Sequence, residues 1–146
     1  MTYLLDVNAL VALGFLQHEF HPRIATWVRD LSLKGTLELA SCPITELGFV
    51  RVLVQASQYG FTVNHARSLL LSLKTHGSAK FTFIADNHDA SRLPNWVKTP
   101  KQATDGHLAQ LAKANGAILA TLDEKIPGAF LIPQRISSAS AVALLL

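Results

Sequence analysis

The chain is predicted to fold as an α/β domain, with a mostly parallel β-sheet covered on both faces by helices. Short apolar runs alternate along the sequence with longer segments whose apolar residues recur at helical spacing. That alternation calls for helical crossovers between parallel strands, which bury both faces of the sheet. Size and composition agree: 146 residues, 49% hydrophobic and 16% charged, suffice for one folded domain over residues 1–146.

Tyr3-Leu4-Leu5 is a short apolar strand ending at Asp6. Asn8 is placed to cap a helix over Ala9 to Leu16, with Gly14 as its weak point. Pro22 suits the first turn of the next helix, whose Ile24, Trp27, Val28 and Leu31 share one face. Leu37 to Ala40 is a second strand. Pro43 opens a helix that carries Glu46, with Leu47, Val50, Leu53 and Val54 as its expected apolar stripe and Tyr59-Gly60 as its stop. Thr62 caps a further helix with Ala66, Leu69, Leu70 and Leu73 facing inward, ended by His76-Gly77. Phe81 to Ile84 alternates as a third strand. Asp86 to Lys101, interrupted by Pro94 and Pro100, reads as loop with one helical turn around Trp96. Thr104 is expected to cap a helix through Ala114 that buries Leu108, Leu111 and Ala112 and stops at Asn115-Gly116. Ala117 to Thr121 and Phe130 to Ile132 are the fourth and fifth strands, followed by a small apolar tail, 137–146.

Composition narrows the function classes. No apolar run reaches the ~20 residues of a membrane span, and the N-terminal run lacks a basic flank and meets Asp6 early, unlike a signal peptide. The lone Cys42 forms no internal disulfide, reads as a small core residue and fits the reducing cytoplasm. A net charge of +3 and pI near 9.2 suit a polyanionic partner.

Against that basic background, four of the ten acids stand at element edges: Asp6, Glu46, Asp105 and Asp123. Sites in parallel α/β folds open at the carboxyl ends of the strands, where all four can converge. Like charges ~4 Å apart repel by ~4 kcal/mol at an effective dielectric of about 20; a divalent cation removes that penalty. Oxygen ligands select Mg²⁺ or Mn²⁺ over zinc. Such an ion lowers the pKa of water and neutralises phosphate charge, which is enough to hydrolyse a phosphodiester without a Ser or Cys nucleophile. Asp6 and Asp123 are the expected direct ligands, with Asp105 sharing the metal or holding a second. Glu46 binds through water or orients the attacking water. Asn8, Thr104 and Thr121 are suited to orient the ligands from behind. Each acid also has a plainer reading: Asp105 as a first-turn helix acid, Asp123 as a turn residue, Glu46 as a solvated helix acid. Their joint order favours the site.

The six histidines show neither HExxH nor a zinc spacing with cysteine. His107, two residues from Asp105, edges the expected pocket, while Asp86 and Asp89 read as solvated loop acids. Arg51, Arg67 and Lys74 are expected on exposed helix faces as an unspecific nucleic-acid track.

Four stretches, in this order, resemble the PIN-domain family and within it the VapC-type toxins: Leu4-Leu5-Asp6-Val7-Asn8-Ala9-Leu10, Ile44-Thr45-Glu46-Leu47-Gly48-Phe49-Val50-Arg51, Thr104-Asp105-Gly106-His107-Leu108-Ala109-Gln110-Leu111-Ala112, and Ala120-Thr121-Leu122-Asp123. Gly106 replaces the commoner small or aromatic residue after the third acid. The resemblance implies a PIN-like three-layer α/β/α sandwich and a Mg²⁺- or Mn²⁺-dependent endoribonuclease acting on tRNA or rRNA, with Asp6, Glu46, Asp105 and Asp123 as its acids. It also implies a cognate VapB-type antitoxin and a homodimer, both using the helices around Leu47 to Leu73. Two other readings compete. One is a PIN-like module that binds RNA or protein without cutting. The other is a haloacid dehalogenase-type phosphatase, which wants a second Asp where Asn8 stands.

Overall fold

The computed structural model describes residues 1–35, 37–77 and 79–134; the apolar tail expected at 137–146 lies outside them. In chain order the elements are β1 (Thr2–Leu5), α1 (Val7–Gly14), α2 (His21–Leu33), β2 (Glu38–Ser41), α3 (Pro43–Gln55), α4 (Val63–His76), β3 (Lys80–Phe83), α5 (Ala103–Ala114), β4 (Ile118–Thr121) and β5 (Phe130–Leu131). Every strand pair is parallel, in the order β3-β2-β1-β4-β5. The expected three-layer α/β/α sandwich is the observed one.

Side-chain alternation along the strands divides the core in two. Leu5, Leu39 and Ala120 join the cluster built by α1 to α4, including Leu10, Ile24, Phe49, Leu53 and Leu70. Their neighbours Leu4, Ala40 and Leu119 join Leu108, Leu111 and Ala112 of α5 on the opposite face. The chain moves from β1 through β2 to β3 under one helical layer, then returns past β1 to β4 by way of α5. Right-handed crossovers require that reversal of direction to change faces.

Several local expectations are corrected. Asp6, not Asn8, caps α1, because the strand's last extended step leaves the aspartate at the helix entrance and Asn8 already inside the first turn. Thr104 caps nothing: a 3₁₀ turn at Pro100–Gln102 runs directly into α5, capped without a side chain by Gln102. The loop before it carries short 3₁₀ turns at Ala90–Arg92 and Pro100–Gln102, flanking Trp96 instead of centred on it. The buried face of α3 is Thr45, Gly48, Phe49 and Leu53, whereas Leu47 is 68% exposed. Gly48 explains the rotation: a Cβ there would meet Val7 Cγ2 at 2.5 Å, so the glycine lets α3 lie against α1. Thr62 caps α4 through the His65 N–H as expected, and Cys42 is fully buried in the core.

Candidate active site

The first strand delivers Asp6 to the carboxyl edge of the sheet. Its Oδ1 accepts the Ala9 N–H at 2.8 Å, closing the start of α1, and its Oδ2 accepts the Thr121 hydroxyl at 2.6 Å. Thr121 is the last residue of β4, which pairs directly with β1. Between these strands the chain order reverses, the position at which open parallel sheets form a crevice. The Thr121 hydroxyl oxygen in turn accepts the Asp123 N–H at 2.9 Å. One side chain therefore sets the Asp6 carboxylate and the backbone of Asp123 together.

Asp105 reaches the same edge from the first turn of α5. The close packing of the loop beneath that turn depends on Gly106, where a Cβ would collide with Val97 Cγ2 and sit 3.3 Å from Pro94 Cδ. Gly106 is thus a steric requirement of this chain's loop.

The three aspartates feel one another. Burial pushes the Asp6 carboxyl from 3.8 up to about 6, outweighing its hydrogen bonds to Thr121 and Ala9, and the charges of Asp105 and Asp123 push in the same direction. Asp105 is raised by burial and then by Asp123. Asp6 is buried, Asp105 half-buried and Asp123 exposed. Two clefts meet at Asp123. One of about 450 Å³ is bordered by Asp6, Asn8 and Asp123 together with His18, Glu19 and Phe20. The other, about 300 Å³, is bordered by Asp105 and Asp123 together with Trp96, Lys101 and Lys125. Neither lysine forms an ion pair among the described residues.

Glu46 borders neither of these two clefts. It lies in the first turn of α3, and its Oε2 accepts the Ser41 hydroxyl at 2.5 Å and the Lys74 ammonium at 2.6 Å. The two charged side chains are only 21% and 20% exposed. Lys74, expected on an open helix face, is instead this half-buried partner. The sequence carries a signal for it: Ala66, Leu70 and Lys74 follow one another at i+4 on α4, and a charge on an inward stripe demands a counter-charge. Of the three orienting residues expected, Thr121 bonds to Asp6, whereas Asn8 borders the cleft and Thr104 is exposed. Neither of the latter two donates to an acid among the described residues.

A second pair has no counterpart in the sequence expectations. His107 Nε2 and Asp86 Oδ2 are 2.6 Å apart, with side chains 15% and 11% exposed. Asp86 is therefore not a solvated loop acid. Burial pushes its carboxyl up, but hydrogen bonds from the His107 ring and the His88 N–H, with the nearby imidazoles, hold it below its ordinary value. This pair fastens the loop after β3 onto α5, close to Asp105.

The donor set suits a hydrated hard cation. Among the described residues no group of three His, Cys, Asp or Glu side chains is placed to hold a metal ion. Mg²⁺ does not need one, since it keeps several waters and is commonly held by one or two carboxylates. Each Asp6 oxygen accepts one hydrogen bond and retains a lone pair for a ligand.

Comparison with known proteins bears on this arrangement. No family model matches the chain. It is similar to Ribonuclease VapC38 of Mycobacterium tuberculosis, 38% identical over 137 residues that cover 90% of each chain. It is also similar to Ribonuclease VapC44 of the same species, 37% identical over 86% of this chain and 89% of the relative, and to its Ribonuclease VapC29, 32% identical over 84% and 86%. Among solved structures, VapBC2 from Rickettsia felis, bound to a DNA fragment from its promoter, aligns with a TM-score of 0.58 and 16% identity over 90% of this chain and 97% of that one.

Proposed function

The chain belongs to the VapC ribonucleases, and we propose that its carboxylate edge is the centre at which this toxin of a VapBC pair hydrolyses RNA phosphodiesters. The observation that carries the reading is the convergence of Asp6, Asp105 and Asp123 at the β1–β4 switch point, with a buried carboxyl pushed to about 6 by burial and by its two acidic neighbours.

Asp6, Asp105 and Asp123 hold Mg²⁺, for which Mn²⁺ substitutes, and a cation there supplies charge neutralisation at the phosphate and acidifies water. The protein's own residues do the remaining work. Thr121 keeps Asp6 ionisable in place, and Glu46, fixed through Ser41 and Lys74, offers an acceptor for the proton of an attacking water. Lys101 and Lys125, neither of them ion-paired among the described residues, bind RNA phosphates beside the carboxylates, and Trp96 offers a ring for a splayed base. The substrate is tRNA or rRNA.

The partner is a VapB-type antitoxin. The antitoxin and a second copy of the chain are assigned to the surface of α3 and α4, where Leu47, Val63 and Leu71 are each more than half exposed; sedimentation of the chain alone and with its antitoxin tests both. Residues 1–146 are read as one domain acting in the cytoplasm. Among the described residues no helix is long and apolar enough to cross a membrane.

The deciding experiment is incubation of a small-RNA pool with purified protein in Mg²⁺, Mn²⁺ or EDTA, with Asp6→Asn as control. Discrete fragments that need metal and Asp6 are expected. Absence of cleavage together with absence of metal binding would favour a non-catalytic RNA- or protein-binding module.

A further inference from the structure

Lys74 is held at two points. Its ammonium is 2.6 Å from Glu46 Oε2, which also accepts the Ser41 hydroxyl, and it lies 5.3 Å from the centroid of the Phe83 ring. Ser41 and Phe83 are register partners at the carboxyl ends of β2 and β3. The cation therefore sits on the same edge of the sheet as the aspartates, displaced toward β3, in the place where Glu46 would otherwise present a bare carboxylate. Position in the last turn of α4 favours a cation there. About four-fifths of both side chains is buried, so the pair is weakly screened and neither charge is readily left without the other.

Of the four acids, Glu46 alone forms an ion pair among the described residues.

We propose that Lys74 is the resident counter-cation of Glu46, so that this edge takes one divalent cation, held by Asp6, Asp105 and Asp123, and Lys74 stands in for a second. Lys74 is a positioning residue: it fixes Glu46 and keeps that carboxylate from recruiting metal. The inference rests on the proposed metal centre and specifies its stoichiometry.

Titration calorimetry of the whole chain with Mn²⁺ alone, with bound ion counted by electron paramagnetic resonance, tests it without reference to activity. One Mn²⁺ per chain is expected for the wild type and for Lys74→Arg, and Glu46→Gln is expected to keep its affinity within about twofold. Lys74→Met is expected to bind a second Mn²⁺, and the Lys74→Met/Glu46→Gln double variant to return to one. Two ions in the wild type, a tenfold loss in Glu46→Gln, an unchanged Lys74→Met, or a second ion that persists in the double variant would each overturn the proposal. Should Lys74→Met not fold, the wild-type count and Glu46→Gln still decide. No Mn²⁺ binding by the wild type, or no weakening in Asp123→Asn, would instead overturn the metal centre itself and this inference with it.

Discussion

Thr121 donates its hydroxyl to Asp6 at 2.6 Å across 115 residues of sequence, and the same oxygen receives the Asp123 N–H. This single side chain joins the end of β1 to the turn after β4, and so sets the spacing of two of the three aspartates. Thr121→Val keeps the shape and removes both bonds. A loss of about 1–2 kcal/mol in stability and a roughly tenfold weaker Mn²⁺ affinity are expected, read by denaturant unfolding and calorimetry. Unchanged affinity would show that Asp6 and Asp123 need no such link.

Asp6→Asn separates fold from function. The folded carboxyl lies near 6 against an ordinary 3.8, a cost of ~3 kcal/mol when it is ionised at neutral pH. Asparagine carries no charge and remains a good helix cap. In chelator the variant is expected to melt at or above the wild-type temperature, while Mn²⁺ binding and RNA cleavage fall at least a hundredfold. A clear drop in melting temperature in chelator would refute the account of a charge held unfavourably by burial and by its acidic neighbours.

The sign of the pH dependence follows from the same group. Because its folded pKa is raised, Asp6 stabilises the metal-free protein when protonated; that contribution is complete below 3.8 and is lost as pH rises through about 6. Metal binding has the opposite demand, since it needs the carboxylate. Mn²⁺ affinity is therefore expected to fall steeply below pH 6, while the metal-free chain gains stability from this group between pH 6 and 4. Calorimetry and thermal melts across pH 4.5–7.5, in the presence and absence of metal, check both limbs.

Lys101 and Lys125 border the cleft of Asp105 and Asp123. Replacing either by Gln is expected to weaken RNA binding and to reduce the salt slope of log K by about 0.7 for each single-strand phosphate that is no longer neutralised. Mn²⁺ affinity is expected to hold within twofold. Binding measured on the Asp6→Asn background, at three salt concentrations, distinguishes an interaction with phosphate from a structural effect.

Gly106→Ala tests the steric reading of the α5 entrance. The added methyl meets Val97 and Pro94, so a loss of about 1–3 kcal/mol is expected from overpacking. Gly106→Ala with Val97→Ala is expected to recover most of it. Failure of the second change to rescue would place the strain elsewhere.

The sequence alone determined the alternation of elements, and with it the parallel sheet and its carboxyl edge, because apolar periodicity is local and is imposed by strand and helix geometry. It also determined which acids lie at element ends; Asp6 and Thr121 could be placed at the ends of β1 and β4 without knowing that they touch. Only the tertiary structure decided the grouping. Strand order brings β4, not β2 alone, beside β1, so Asp123 and Asp105 crowd Asp6 while Glu46 is drawn to Lys74 on α4. The rotation of α3 that exposes Leu47 came from Gly48 meeting Val7, and the Asp86–His107 pair from a loop laid over α5. These partners are separated by tens of residues, and their choice depends on which surfaces pack together. A local pattern carries at most half of such a pair, as Lys74 on an inward stripe does, and the fold supplies the other half.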